Sequence, residues 1–388
     1  MLPEISLRDR LKQRVLAVTP DSFEALALDV FRYQAVENEV YRQYLRHLNV
    51  QPDAVRHLEQ IPFLPLDFFK TRRILTGPVS PEITFQSSGT SGQVTSQHAV
   101  ADAAFYRTVS RQIFERTYGP LREWVVLALL PSYLERGNSS LVYMVQHFID
   151  QTTRPASGFF LHNTDELRQA LKKLPSGTPP AAKRNAPRHQ AEHRPPPTLL
   201  VGVTFALLDL AESGEDWSFL GKIPNFVVME TGGMKGRRRE MLREEVHATL
   251  TRAFGVPRIH SEYGMTELLS QAYSPGEGIF HVPPTMRVLL RDVNDPFSSL
   301  RPGGRNTGGI NVIDLANVDS CAFLETKDLG SYACPTPFDV PPFFRPSSDH
   351  LKTKSRRNSA HRSGVRARLV RHLPERGHFV QWPDHQNR

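Results

Sequence analysis

The sequence has few cysteines and no long hydrophobic run. Only Cys321 and Cys334 occur in 388 residues, which excludes a disulfide scaffold and fits a reducing cytoplasm. No eighteen consecutive residues are apolar, so we expect no membrane-spanning helix. The first residues lack the basic and apolar blocks of a secretory signal, and we therefore expect a cytoplasmic protein.

What the chain does contain is typical of a globular enzyme. Hydrophobic residues make up 39% and aromatic residues 9% of the sequence, which are ordinary fractions for a folded domain. A chain of 388 residues has the length of two to three domains and can bury a large core.

The positive charge is concentrated in two segments. Residues 331–388 hold eleven Lys/Arg against four Asp/Glu, and residues 175–197 hold four against one. The combined net charge of these two segments is therefore larger than the net charge of the whole chain, +8. The same segments hold fourteen of the thirty-one prolines, and prolines break regular structure. Neither has an aromatic platform or a DNA-binding motif, so we expect no specific nucleic-acid partner.

Two interpretations of these segments stay open. One is a natural basic extension, and the other is a reading frame that differs from that of related proteins. We expect one domain over residues 1–330, with an atypical insert at 175–197, and a poorly ordered tail over 331–388.

The remaining sequence predicts an α/β fold. Residues 6–48 show apolar positions at helical spacing, and from residue 83 short apolar runs alternate with helical patterns, which favours a sheet with crossover helices. The predicted strands are 83–86, 124–130, 198–203, 225–229, 286–290 and 309–313. The predicted helices are 102–118, 139–149, 206–211 and 237–254.

Two serine- or glycine-rich segments follow predicted strands. Residues 86–92, with the sequence QSSGTSG, lie between a predicted strand and a predicted helix, where glycine amides and hydroxyls can hold phosphate oxygens. The alternative is a plain surface turn. Residues 229–236, METGGMKG, place glycines at the carboxyl end of a strand, where ligands commonly bind in α/β sheets.

Two further segments carry acidic residues. In residues 260–267, HSEYGMTE, Tyr263 can stack on a base and Glu267 can hold Mg²⁺ against phosphates. The alternative is a helix N-terminus with a glutamate in its first turn. In residues 325–330, ETKDLG, Asp328 can accept ribose hydroxyls, and the alternative is a turn aspartate before glycine.

The order and spacing of the four segments resemble the adenylate-forming superfamily of acyl-CoA synthetases, luciferases and peptide-synthetase adenylation domains. Residues 130–140, 230–236 and 260–267 resemble its acyl-protein synthetase branch, the LuxE type, which is similar to phenylacetate-CoA ligase. The resemblance covers residues 1–174 and 198–330.

This resemblance implies a role for each matching residue. Thr266 would contact phosphate, Glu267 would bind Mg²⁺, and these two would be the catalytic residues. Tyr263 would stack on adenine, and Asp328 would bind the ribose. The other implied ATP-binding residues are Ser87, Ser88, Gly89, Thr90, Ser91 and Gly92 in the phosphate loop, Gly232 and Gly233 in the adenine-pocket wall, and Gly264.

The resemblance also implies a fold and a reaction. The fold would be the large α/β N-terminal domain of these enzymes, with mixed sheets and flanking helices. The enzyme would use ATP and Mg²⁺ to convert a fatty acid into an acyl-adenylate, and would transfer the acyl group to a protein thiol that serves an acyl reductase partner. The alternatives are a CoA ligase, and an inactive nucleotide-binding relative, because the Arg-x-Asp hinge and lid domain do not follow Gly330.

Overall fold

The computed structural model describes residues 5–88, 94–131, 137–174, 195–234, 238–239, 241–300, 307–332 and 343–346. These residues belong to one unit of the fold, Met1–His350. Most of the predicted insert and tail lie outside the described residues, as do Gly89–Gly92 and Cys334.

In the described residues, strands and α-helices alternate between residues 97 and 263, and only strands follow. The α-helices are α1 (Leu7–Leu16), α2 (Phe23–Glu37), α3 (Glu39–His47), α4 (Phe68–Thr71), α5 (Ala103–Tyr118), α6 (Ser140–Gln151), α7 (Thr164–Lys172), α8 (Thr204–Ala211) and α9 (Arg243–Phe254). The strands are β1 (Leu64–Pro65), β2 (Ile83–Gln86), β3 (Gln97–Val100), β4 (Val125–Leu129), β5 (Gly158–Phe159), β6 (Thr198–Val203), β7 (Phe226–Thr231), β8 (His260–Tyr263), β9 (Ala272–Ser274), β10 (Phe280–His281), β11 (Met286–Arg291), β12 (Ser299–Leu300), β13 (Gly308–Asp314), β14 (Phe323–Tyr332) and β15 (Phe343–Pro346).

One mixed sheet contains most of the strands. Its order is β12-β11-β13-β14-β15-β10-β9-β8-β7-β6-β4-β5, and β1 pairs in parallel with β14. Strands β5, β4, β6, β7 and β8 run parallel, and the pairing becomes antiparallel between β8 and β9. Strands β2 and β3 form a separate antiparallel hairpin. The α/β class and the mixed sheet with flanking helices confirm the predicted fold class.

The burial of the parallel strands agrees with their apolar sequences. All five residues of β4 and all six of β6 are buried, as expected for strands covered on both faces. Helix α5 begins where the Asp102 carboxylate accepts a hydrogen bond from the amide of Phe105, and ends before Gly119 at φ 87°, a conformation that favours glycine. Within the described ranges, each helix is too short or too polar to cross a bilayer.

Two local predictions are wrong, and one alternative is excluded. The serine-rich loop does not open onto a helix, because β3 pairs with β2 before α5 begins. Helix α9 begins at Arg243 rather than Arg237. The segment after Tyr263 is not a helix N-terminus, since it passes through a turn into β9, which pairs back onto β8.

Candidate functional site

A cavity of about 270 Å³ lies at the carboxyl ends of β7 and β8, beside the hairpin β2–β3. In an α/β sheet this edge is where ligands bind, because the strands end there and the loops are free to shape a cleft. The described residues that line it are Gln86, Ser87, Ser88, Tyr106, Ser139, Ser140, Leu141, Met144, Thr231, Gly232, Glu262, Gly264, Met265, Thr266, Glu267, Leu268, Leu269, Ser270 and Gln271.

The base of the serine-rich loop is held by the hairpin itself. The amide of Ser87 donates to the carbonyl of Ser96 at 3.0 Å, and the amide of Ser96 donates to the Ser87 hydroxyl at 2.9 Å. Asn138 receives the amide of Gln86 on its carbonyl at 2.7 Å and donates its side-chain amide back to Gln86 at 2.8 Å. The Ser87 hydroxyl can therefore accept from Ser96 and still donate to a ligand.

The backbone of Thr266 and Glu267 is fixed from two sides. The Nδ1 atom of His98 lies 2.8 Å from the Thr266 carbonyl oxygen. On the other side, the amide of Asn317 donates to the Glu267 carbonyl at 2.9 Å. Both partners are buried. The turn that presents Thr266 and Glu267 to the cavity is therefore held by β3 on one side and by the loop after β13 on the other.

Asp314 anchors the next part of the same segment. Its Oδ2 atom accepts the amides of Leu269 at 2.7 Å and Ser270 at 2.9 Å, and its Oδ1 atom accepts the Ser270 hydroxyl at 2.6 Å. A carboxylate that receives several hydrogen bonds in a buried position acts as a rigid hub. Residues 264–271 therefore line the cavity in one defined conformation.

The Glu267 carboxyl is buried in the cavity wall and is only 6% exposed. Burial raises its pKa, while the Ser96 hydroxyl and the charge of Lys70 partly oppose this shift. A buried carboxylate without a full countercharge favours a cation beside it. The described residues contain no cluster of three His, Cys, Asp or Glu side chains for a metal. Mg²⁺ bound with a nucleotide needs only one or two carboxylates, because phosphates complete its shell, so Glu267 fits this ion.

Tyr263 and Asp328 are in direct contact. The Tyr263 hydroxyl donates to Asp328 Oδ2 at 2.9 Å, and the Tyr263 ring packs on the ring of Phe280 with centroids 6.0 Å apart. Burial, followed by the charge of Asp328, raises the pKa of Tyr263 well above its ordinary value. The described residues that line the cavity do not include Tyr263, Asp328 or Gly233.

The structure thus brings together most of the described residues that the sequence predicted. Around one cavity lie Ser87, Ser88, Gly232, Gly264, Thr266 and Glu267. Tyr263 lies between two of the lining residues in sequence, and Asp328 connects to the cavity through it. The other predicted phosphate-loop residues, Gly89–Gly92, lie outside the described residues.

Glu262 is a cavity residue that the sequence analysis missed. Burial and the charge of Glu230 raise its pKa, against the hydroxyl of Thr231, from an ordinary 4.5 to about 7. The Thr231 hydroxyl donates to Glu262 Oε2, and a side chain at Gly264 would collide with the other carboxyl oxygen. The available signal was a glutamate in a strand directly before Tyr-Gly, where a buried acid is unusual.

Glu230, the neighbour of Glu262 on β7, has the opposite electrostatic environment. Burial favours its neutral form, but hydrogen bonding from His247 and the charge of Arg243 outweigh burial, and the pKa of Glu230 is lowered. The Thr204 hydroxyl donates to it at 2.9 Å. The buried Glu230 carboxyl and the half-buried Glu262 carboxyl therefore differ in charge at weakly acidic pH, with Glu230 ionised and Glu262 protonated.

Solved structures with a similar fold include a CoA ligase. An open conformation of 2-hydroxyisobutyryl-CoA ligase in complex with 2-HIB-AMP and CoA matches with a TM-score of 0.56 and 13% identity, over 90% of this chain and 73% of that chain. The same ligase in its postadenylation state with 2-HIB-AMP matches with a TM-score of 0.55 and 12% identity, over 90% and 71%. At this identity the likeness shows a shared fold alone.

Comparisons by sequence give no further family information. No protein-family model matches the chain, and no curated protein matches it.

Proposed function

We propose that the protein activates a carboxylic acid with ATP as an acyl-adenylate and passes the acyl group to a thiol. One observation carries this proposal: the loop base at Ser87–Ser88 and the segment Gly264–Glu267, far apart in sequence, line the same cavity. One segment offers hydroxyl donors to phosphates, and the other offers a hydroxyl and a buried carboxylate. The fold shared with ligases that were solved with 2-HIB-AMP supports the same reaction class.

In the proposed reaction a substrate carboxylate oxygen bonds to the α-phosphorus of ATP, and the bond to pyrophosphate breaks. This step needs no nucleophile from the protein, so the residues act by positioning and by offsetting charge. Thr266, with Ser87 and Ser88, would donate hydrogen bonds to phosphate oxygens. Glu267 would hold Mg²⁺, which when bound supplies positive charge to the phosphates.

The remaining assignments concern the nucleoside and the rest of the phosphate loop. Gly232 and Gly233, at the end of β7, would form the adenine-pocket wall, with Tyr263 stacking on the base. Asp328 would accept the ribose hydroxyls, and its contact with the Tyr263 hydroxyl would couple ribose binding to the position of that ring. Residues 89–92 would supply the other phosphate donors.

The thiol acceptor has two candidates. The LuxE resemblance supports a protein cysteine, with a fatty acid as substrate and an acyl reductase as partner. The similar fold of a CoA ligase solved with CoA supports coenzyme A as the alternative. Cys321 does not suit the acceptor role, because it is fully buried and burial raises its pKa to about 12. A cysteine attacks as its thiolate, which this environment disfavours.

Nucleotide binding tests the proposal directly. We expect ATP with Mg²⁺ to bind in calorimetry, and carboxylic acids to cause pyrophosphate release. Glu267→Gln should lose the Mg²⁺-dependent part of the ATP affinity while the fold stays intact, and Glu123→Gln, an exposed control, should behave as the wild type. Absence of ATP binding would overturn the proposal. Unchanged affinity in Glu267→Gln would refute the metal role alone.

Product analysis separates the two acceptors and the inactive alternative. A thioester that forms only when CoA is added would identify a CoA ligase. Transfer of a labelled acyl group from the acid to a partner protein would identify an acyl-protein synthetase. ATP binding without pyrophosphate release from any acid would identify a nucleotide-binding protein without catalytic activity.

A further inference from the structure

A second cavity lies close to the first. Its volume is about 650 Å³, and its walls are mainly apolar, with Ile113, Tyr118, Val282, Met286 and Val288 among the lining residues. Helix α5 contributes to both cavities, since Tyr106 lines the first and Ile113 and Tyr118 line the second. The two spaces are therefore neighbours along one helix.

A continuous series of contacts separates the two cavities. Gln271 lines the first cavity, and its side-chain amide donates to the Tyr273 hydroxyl at 3.2 Å and to the carbonyl of Ser110 in α5 at 2.8 Å. The Tyr273 ring packs edge-on against the Tyr118 ring, with centroids 5.2 Å apart. Tyr118 faces the second cavity, where its hydroxyl lies 3.0 Å from Nδ1 of His260. We call Gln271, Tyr273 and Tyr118 the partition.

The partition is rigid for two reasons. Tyr273 is only 1% exposed and also packs edge-on against Phe114 with centroids 6.1 Å apart. Moving its ring would break the hydrogen bond from Gln271 and leave buried polar groups without partners, which is costly. The packed aromatic rings leave no low-energy alternative position, because protein interiors are close-packed. The first cavity is therefore closed on the side of α5 and β9.

The partition limits how far a substrate can extend from the first cavity towards α5 and β9, because its packed rings cannot move aside. Resting on the proposed function, we propose that the acid activated here has a short or compact apolar group, and that Tyr118 and Tyr273 set its length limit. A long chain would need the volume of the second cavity, which the partition blocks.

Alkyl esters of AMP test this inference, because the nucleotide ties the chain to the first cavity. We expect calorimetry on the wild type to show that dodecyl-AMP binds at least about tenfold more weakly than butyl-AMP, equivalent to ~1.4 kcal/mol. Tyr118→Ala combined with Tyr273→Ala removes both rings of the partition and should join the cavities, so dodecyl-AMP should regain most of this loss while butyl-AMP changes little. Tyr118→Leu combined with Tyr273→Leu, which keeps more of the apolar packing, serves as a second opening variant if the double alanine variant is unstable.

A matched control distinguishes the effect of the partition from that of the size of the second cavity. Phe23 lines the second cavity but is not part of the partition, so Phe23→Ala should keep the wild-type preference for butyl-AMP. Equal wild-type affinity for both esters, or an unchanged ratio in both double variants of Tyr118 and Tyr273, would overturn the inference and leave the proposed function standing. Failure of AMP and both esters to bind would overturn the proposed function and this inference with it.

Discussion

Tyr263 donates its phenolic hydrogen bond to Asp328 at 2.9 Å and so joins the end of β8 to the middle of β14. The sequence analysis assigned separate roles to the two residues, adenine stacking and ribose binding. Their contact would make these roles interdependent, because the ring and the carboxylate hold each other in place. This contact couples the parallel and antiparallel parts of the sheet beside the candidate site.

Tyr263→Phe removes this hydrogen bond and keeps the ring. We expect the free energy of unfolding to fall by about 1 kcal/mol, the usual contribution of such a bond, and the affinity for AMP to fall because Asp328 loses its support. Urea unfolding and calorimetry measure the two effects. Tyr332→Phe, which removes a tyrosine hydroxyl bonded to the Leu290 amide instead, is the control and should leave AMP affinity unchanged. AMP affinity equal to the wild type in Tyr263→Phe would contradict the interdependence.

Glu262 predicts a specific dependence of stability on pH. Its pKa rises from an ordinary 4.5 to about 7 in the folded protein, so between these values the folded state holds a proton that the unfolded chain has lost. Stability contributed by this proton is complete below about pH 4.5 and is lost as the pH rises through 7. The total loss is at most roughly 3.5 kcal/mol at ~1.4 kcal/mol per pH unit.

Glu262→Gln should remove that pH dependence, since an amide does not titrate. Urea unfolding at half-unit pH steps, with the variant compared to the wild type, isolates the contribution of this one side chain. Thr231→Val is expected to steepen the wild-type decline, because the hydroxyl that favours the ionised form is lost. Parallel stability curves for wild type and Glu262→Gln between pH 4.5 and 7 would show that Glu262 is ionised throughout.

His98 should stabilise the Thr266 turn as a neutral hydrogen-bond donor. Burial lowers its pKa to about 4, although the Thr266 carbonyl opposes the shift. His98→Ala leaves that carbonyl without its partner and should cost roughly 1–3 kcal/mol. His98→Asn can place an amide donor near the position of Nδ1 and should recover part of this loss.

The titration of His98 has the opposite sign to that of Glu262. Because the pKa of His98 is depressed, its contribution to stability is present above the ordinary value of 6.5 and is lost as the pH falls towards 4. The difference in unfolding free energy between wild type and His98→Asn should therefore shrink as the pH falls through this range. A difference that stays constant with pH would mean that His98 is not held neutral by burial.

Asp314→Asn tests the hub behind the cavity. The variant keeps one oxygen, but its amide nitrogen would face the amides or the hydroxyl that now donate to the carboxylate. We expect a loss of about 1–3 kcal/mol in unfolding free energy and a weaker ATP affinity, because residues 264–271 lose their anchor. Asp295→Asn, in an exposed turn, is the control. Wild-type ATP affinity in Asp314→Asn would show that the segment keeps its conformation without the hub.

Much of the fold could be predicted because local signals and tertiary packing agreed. The apolar runs at β4 and β6 became fully buried parallel strands, and the capping aspartate Asp102 marked the start of α5. Apart from the start of α9, the differences from the prediction are at places where a strand is short and polar. Strands β3 and β8 carry His98, Ser261 and Glu262, whose burial depends on partners elsewhere in the chain, and sequence periodicity cannot show such partners.

The sequence alone determined the α/β class and the residue types that can hold a nucleotide phosphate and a metal, because hydrophobic periodicity and hydroxyl, glycine and carboxylate chemistry are properties of local sequence. Only the tertiary structure decided that Ser87 and Thr266 share a cavity, that Glu262 and Glu230 differ in charge, and that Gln271, Tyr273 and Tyr118 close the space towards α5. These features arise from contacts between distant segments, and burial and distance exist only once the chain has folded.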